Sequence, residues 1–147
     1  MTQTAPIHVV QITDCHLFEE VSGSLLGMNT QDSLERVLKL VKKQSPRDVV
    51  LCTGDLVQDA SIDGYARFKN MIDDLGAPQY WIPGNHDINA TMNVAAQGTS
   101  IMRSVVMIGN WQIILLDSTI EGAVPGHITD ESLAFLDQAL RHRFQCT

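Results

Sequence analysis

Asp48-Val49-Val50-Leu51-Cys52-Thr53-Gly54-Asp55 decides the fold: a short apolar, β-branched run that stops abruptly at Gly-Asp. Apolar side chains at consecutive positions predict a strand over residues 48–52 that is covered on both faces, as in a parallel sheet. Two other segments share this form. Ile7-His8-Val9-Val10-Gln11-Ile12-Thr13 runs into Asp14-Cys15-His16, and Gln79-Tyr80-Trp81-Ile82 runs through Pro83 into Gly84-Asn85-His86-Asp87.

Helical periodicity fills the gaps between them. Leu34, Val37, Leu38 and Val41 fall at i, i+3, i+4 and i+7, with Asn29 or Thr30 as cap, Asp32 in the first turn and Pro46 as the stop. Tyr65, Phe68, Ile72 and Leu75 mark a second amphipathic helix closed by Gly76-Ala77-Pro78. Residues 22–27 read as a loop. Residues 105–108 and 111–117, separated by Gly109-Asn110, predict a hairpin, and Thr129 caps a last helix with Leu133, Leu136 and Leu140 on one face. Strands alternating with helices imply an α/β fold, a parallel sheet with right-handed crossovers joined by a final antiparallel pair.

The 147 residues are 44% hydrophobic and 18% charged, which suffices for a core and excludes overall disorder. Ten Lys and Arg against 17 Asp and Glu leave a charge of −7, which argues against nucleic acid or an anionic membrane as partner. The most apolar stretch, 105–116, is broken by Gly109, Asn110 and Gln112 and is far short of the roughly 20 residues that span a bilayer. Cys15, Cys52 and Cys146 form no paired framework, and the N-terminal residues carry no signal core, so a cytoplasmic setting is expected.

In parallel sheets ligands collect beyond the carboxyl ends of the strands. The three polar clusters stand there, on strands about 4.8 Å apart. Read as extended chain, Asp14 and His16 would share a face while Cys15 turns aside; Gly54 and Gly84 permit turns that a side chain would obstruct. Oxygen and nitrogen donors without thiolate suit Mn²⁺, Fe²⁺, Zn²⁺ or Mg²⁺. Asp55, on the central loop, is the best-placed bridge between two ions, and His86 would protonate or neutralise a leaving oxygen. Each cluster alone also reads as turn or capping chemistry; their order at three strand exits favours metal. The remaining polar residues read as structural: His8 in the strand, His127 before the last helix, His142 at its basic end, Asp59 and Asp63 at a helix start, Asp117 at a strand end. Cys15 reads as a packed small residue.

Ile12-Thr13-Asp14-Cys15-His16-Leu17, Thr53-Gly54-Asp55-Leu56-Val57-Gln58-Asp59 and Pro83-Gly84-Asn85-His86-Asp87 resemble the calcineurin-like metallophosphoesterases. Leu25-Leu26-Gly27-Met28-Asn29-Thr30, 111–118 and Gly126-His127-Ile128-Thr129 are similar to the bacterial class III 3′,5′-cyclic-AMP phosphodiesterases within that family. The resemblance covers about residues 7–140. It implies an αββα sandwich and hydrolysis of cyclic AMP to 5′-AMP at two divalent ions, iron or manganese. Asp14 and His16 would hold the first ion, Asp55 would bridge, and Asn85 would hold the second. Asn85 and His86 would contact the phosphate, with His16 and Asp55 bordering the nucleotide. Family members continue with two further histidine motifs, so residues 1–147 read as the N-terminal portion of a single domain. Exposed sheet edges would then favour self-association. Another phosphoesterase on this scaffold, or a non-catalytic scaffold protein, stands beside this expectation.

Overall fold

The structure, a computed structural model, describes residues 6–143, the last two by backbone alone; the expectations for the His142 side chain and for Cys146 lie outside the described residues. Three parallel strands, β1 (Val9–Ile12), β4 (Val49–Thr53) and β5 (Gln79–Ile82), form one sheet in the order β1-β4-β5. Helices α1 (Thr30–Lys42) and α2 (Ile62–Asp73) are the two crossovers. Because both connections step the same way along the sheet, right-handedness puts both helices on one face. Their core against that face comprises Leu34 and Leu38 of α1, Tyr65, Phe68 and Ile72 of α2, and Val50, Cys52 and Trp81 of the sheet.

Local chemistry sets the helix ends. The Asn29 side chain accepts from the Asp32 amide at 2.8 Å, so Asn29 rather than Thr30 is the cap of α1. Ser61 caps α2 by accepting from Gly64 N at 3.3 Å. Asp59 stands two residues earlier and accepts from Ser61 Oγ at 2.7 Å and from the distant Glu19 amide at 2.8 Å. Partial burial works against its ionisation, but the Glu19 and Ser61 donors outweigh it and hold its carboxyl below the usual range. Asp63 lies in the first turn of α2, as expected.

The central strand is as covered as its sequence suggests, with Val49, Val50 and Cys52 fully buried. β1 is not. Its strand is shorter than residues 7–13, and Val9 is 50% exposed, because β1 pairs with β4 on one side only. His8 sits before it at the edge, 3.4 Å from Asp48.

The loop read over 22–27 holds a small hairpin, β2 (Ser24–Leu25) with β3 (Met28–Asn29), turning at Leu26-Gly27 with φ of 51° and 81°. A short helix, α3 (Asn89–Ala95), follows the third polar cluster. Neither Asn85 nor Asp87 caps it: the N-cap is Ile88, without a side-chain bond.

The later hairpin, β6 (Val105–Ile108) and β7 (Trp111–Ile114), pairs across Gly109-Asn110 as expected but makes its own two-stranded sheet. It does not extend the parallel sheet. Residues 99–102 run in turns and bends and meet β5 through one backbone bond, Trp81 N to Ile101 O at 2.9 Å, instead of a ladder. β7 stops short of residue 117 because the Asp117 carboxylate folds the chain into its own turn, accepting from Thr119 N at 2.8 Å.

The last helix, α4 (Asp130–Arg143), starts where Thr129 Oγ1 accepts from Ser132 N at 3.1 Å. Its expected inner face is open instead: Leu133 and Leu140 are 51% and 45% exposed, and the helix leans on β7 through the buried Ala139. No described helix is long and apolar enough to cross a membrane.

Candidate metal centre

The loops leaving β1 and β4 stay zipped together after the strands end. Asp14 N donates to Gly54 O at 3.0 Å, His16 N to Asp55 O at 2.9 Å, Leu17 N to Leu56 O at 3.0 Å, and Gln58 N to Leu17 O at 2.7 Å. Beneath this zipper Leu17, Leu56 and Val57 are fully buried, anchoring both loops in the core.

Asp14, His16 and Asp55 have φ of 55°, 46° and 51°. The chain here is left-handed, not extended, so the expected alternation of side chains along an extended run does not apply to Asp14 and His16. Asp and His tolerate this region better than most residues, yet each such position still costs about 1–3 kcal/mol. The buried apolar anchors and the backbone ladder hold it.

The third loop is pressed against the second. A Cβ on Gly84 would lie 2.3 Å from Asp55 Oδ1 and 2.4 Å from Asp55 N, and one on Gly54 would lie 3.2 Å from Gly84 Cα. Gly84 is therefore required by contact, and Gly54, with φ of +89°, by its turn. His86 N donates to Asp55 Oδ1 at 2.9 Å, completing the junction.

Three expected residues converge. Ligand atoms of His16, Asp55 and His86 lie within 4.8 Å of one another. His16 Nε2 stands 3.8 Å from Asp55 Oδ2, and both side chains are about 15% exposed. Two atoms bound to one ion at about 2.1 Å sit roughly 3–4.2 Å apart, so this pair fits an ion between them. His16 Nδ1 is also buried without a partner among the described residues, an unmet polar demand at the cluster. The donor set fits a divalent cation.

The other two expected ligands stand outside this triplet. Asp14 accepts from Thr13 Oγ1 at 2.5 Å and borders a separate cavity of about 230 Å³ beside α1. Asn85 is exposed at the rim of a larger cleft, about 660 Å³, which it shares with His86, Asn89, Asp117, Ile120 and Glu121. His127 is exposed, its amide donating to Ser118 O at 2.7 Å, and it is absent from the cluster and the cleft.

Between Asp14 and His16, Cys15 packs against the core; burial, then the Asp14 and Asp87 charges, push its thiol up to about 12. It remains a thiol at neutral pH, in keeping with an oxygen and nitrogen donor set.

Three residues act here in ways the motifs alone did not disclose. The Asp87 carboxylate accepts from Leu56 N (3.1 Å), Val57 N (3.2 Å), Gly84 N (2.8 Å) and the Tyr65 hydroxyl (2.8 Å). It ties the second and third loops to each other and to α2. Burial, then the Asp87 charge, push the Tyr65 hydroxyl far above its ordinary value, so it stays a donor. Asp117 accepts from Asn89 Nδ2 at 2.7 Å and so lies on the cleft wall, beyond its expected place at a strand end. Gln58 Nε2 meets His86 Nδ1 at 2.9 Å. A polar residue three positions after Asp55, on a loop leaving a buried strand, was the available signal for Gln58.

Comparison with known proteins places the chain in a family. The calcineurin-like phosphoesterase family profile matches residues 7–145. The chain is 44% identical over 137 residues to the 3′,5′-cyclic adenosine monophosphate phosphodiesterase CpdA of Pseudomonas aeruginosa, covering 92% of this chain and 50% of that protein. It is 40% identical over 137 residues to the protein of the same name from Haemophilus influenzae, with 91% and 50% covered. The corresponding figures for Escherichia coli K12 are 39% over 139 residues, with 92% and 50% covered. The chain thus spans about half the length of the curated relatives it matches. With the profile running over nearly all of the sequence and through all three loops, the chain belongs to the calcineurin-like phosphoesterase family.

Proposed function

We propose that this chain is the N-terminal, metal-ligating portion of a cytoplasmic phosphodiesterase that hydrolyses 3′,5′-cyclic AMP to 5′-AMP. The observation that carries the reading is the convergence of His16, Asp55 and His86 at the exits of adjacent parallel strands, on a backbone strained at His16 and Asp55. The names of the relatives support the choice of cyclic AMP as substrate. The free, packed thiols of Cys15 and Cys52 accord with a reducing compartment.

In this reading Asp14 and His16 would hold one divalent ion, Asp55 would be shared between the two, and Asn85 would hold the other, iron or manganese being preferred. The two Asp55 oxygens already face different loops, one toward His16 and one held by the His86 amide. Divalent ions in such a site supply Lewis acidity toward phosphate oxygens. The protein's own part is positional. Asn85 and His86 receive the phosphate at the rim, His16 and Asp55 border it from below, and the cleft of about 660 Å³ has room for a nucleoside. As the oxygen of a water molecule forms its bond to phosphorus in line with the 3′ oxygen, the bond to that oxygen breaks, and His86 would protonate it or neutralise its charge.

Calorimetric titration of the chain with Mn²⁺ is expected to show binding that Asp55→Asn abolishes. The whole protein containing this chain is expected to release 5′-AMP from cyclic AMP. Turnover of bis-p-nitrophenyl phosphate without turnover of cyclic AMP would move the assignment to another phosphoester. Failure to bind Mn²⁺ would leave a scaffold protein.

The outer edge of β1 has no strand partner among the described residues, and Val9 on it is half exposed. An open edge of this kind templates pairing with another chain. The chain by itself is therefore expected to self-associate, with a mass by light scattering that rises with concentration. A constant monomer mass would count against this.

A further inference from the structure

We infer that Asn89 and Asp117 are positioning residues: they form a clasp that fixes the width of the cleft, and so set which organic groups it accepts on a phosphoester. One wall of the cleft is the third polar loop with the start of α3, residues 84–90; the other is the loop after β7, residues 117–122. Asn89 Nδ2 donates to Asp117 Oδ2 at 2.7 Å, and among the described residues this is the one hydrogen bond between the walls. A carboxylate only accepts, so the NH₂ end of the amide is the end that faces it. Asn89 is the first residue of α3, one place too late to cap it, and its side chain reaches across the cleft instead.

Asp117 spends its other oxygen on its own wall. Oδ1 accepts from Thr119 N at 2.8 Å and from Thr119 Oγ1 at 2.7 Å. One side chain therefore both shapes the second wall and fastens it to the first. Little else holds that wall. No residue from 116 to 129 is buried, and the backbone bonds of this stretch, Ala123 N to Ile120 O and His127 N to Ser118 O, stay within it. Behind the pair lies a second cavity of about 200 Å³, which Asn89 and Asp117 line together with Asn93 and Arg103. The pair is thus the partition between two spaces, and the wall has room to give way when the bond is cut.

The consequence for selectivity rests on the proposed phosphodiesterase reading, in which Asn85 and His86 receive the phosphate on the first wall. The group that the phosphate carries then lies against Ile120 of the second wall. A wall at fixed distance grips a nucleoside equally before and during reaction, so it acts on KM and little on kcat. A methyl group is too small to span the cleft.

Exchanging the two partners tests the clasp. Asn89→Asp sets carboxylate against carboxylate and parts the walls. Adding Asp117→Asn rebuilds the bond with donor and acceptor exchanged, leaves an oxygen for Thr119, and restores the net charge. In the ¹⁵N-labelled chain, without metal or substrate, the amides of 118–122 are expected to show order parameters of about 0.85. They are expected to fall below about 0.6 in Asn89→Asp and to recover in the double variant. Mobile amides in the unmodified chain, unchanged ones in Asn89→Asp, or no recovery overturns the inference. In the whole protein, kcat/KM for cyclic AMP relative to methyl p-nitrophenyl phosphate is expected to fall about tenfold in Asn89→Asp, through KM, and to return in the double variant. Both esters carry one negative charge, so repulsion by the added carboxylate cancels in the ratio. An unchanged ratio, or a loss carried by kcat, overturns the selectivity role. No turnover of cyclic AMP by the unmodified protein sinks the substrate reading alone; bis-p-nitrophenyl phosphate then serves as the large ester in the same ratio.

Discussion

Alanine at Gly84 is expected to abolish Mn²⁺ binding and to destabilise the chain by about 1–3 kcal/mol, the range of an overpacked site. The added methyl would meet Asp55 Oδ1 at 2.3 Å and Asp55 N at 2.4 Å, distances real Cβ atoms essentially never show. Rotation can swing the carboxylate oxygen aside, but the backbone nitrogen moves only with the whole loop. That loop is bonded to the first at His16 N to Asp55 O and anchored by buried Leu56 and Val57, so the third loop is the part that gives. Its departure breaks the 2.9 Å bond from His86 N to Asp55 Oδ1 and carries Asn85 and His86 away from His16. Gly76→Ala is the control. It has φ of +71° and nothing within 4 Å of a Cβ, so it carries the backbone strain without the collision. It is expected to lose about 1 kcal/mol and keep its metal affinity. Equal Mn²⁺ affinity in Gly84→Ala and Gly76→Ala, by calorimetry, would show that the two loops are not in register as described.

That collision also marks what can be read from a sequence. Gly54 and Gly84 are legible as turn residues beside candidate ligands, but the chain does not say that they back onto each other, because that depends on the strand spacing of a folded sheet. The apolar run of β4 correctly announces a strand covered on both faces. The similar run of β1 announces the same and is wrong, since hydrophobicity records what a strand can bury and not whether a neighbour is present. The sequence suggests that Asp14 and His16 share a face by alternation along an extended chain, but the backbone is left-handed at both positions. The hairpin β2–β3 has two residues per strand and a leucine in its turn, too little for any period or turn signal. α3 starts at Ile88 with no capping side chain, so nothing local announces it. Asp87 was visible as the end of the third motif. Its role was not, because its partners are backbone amides up to 31 residues away.

Asp87→Ala is the other substitution expected to have a large effect, about 3–4 kcal/mol of stability. A hydrogen bond to a charged group is worth roughly 1.5–3 kcal/mol, and bonds that share one acceptor group are not additive. Removing the carboxylate orphans three backbone amides, at Leu56, Val57 and Gly84, together with the Tyr65 hydroxyl, which is fully buried. Asp87→Asn keeps the shape but replaces one acceptor oxygen by a donor that faces other donors, so it is expected to lose about half as much. Tyr65→Phe removes one donor and leaves the carboxylate its amides, for a loss of about 1–1.5 kcal/mol. The ring itself stays packed among Phe68 and Trp81 in the core. Urea unfolding gives the order Ala, Asn, then Tyr65→Phe, read from the midpoint at unchanged slope. The same order is expected in Mn²⁺ affinity, because the amides of Leu56 and Gly84 belong to the two loops that flank Asp55. If Asp87→Ala instead matched Tyr65→Phe in both measurements, only the hydroxyl contact would matter. The alignment of the second and third loops would then rest on the glycine contact alone.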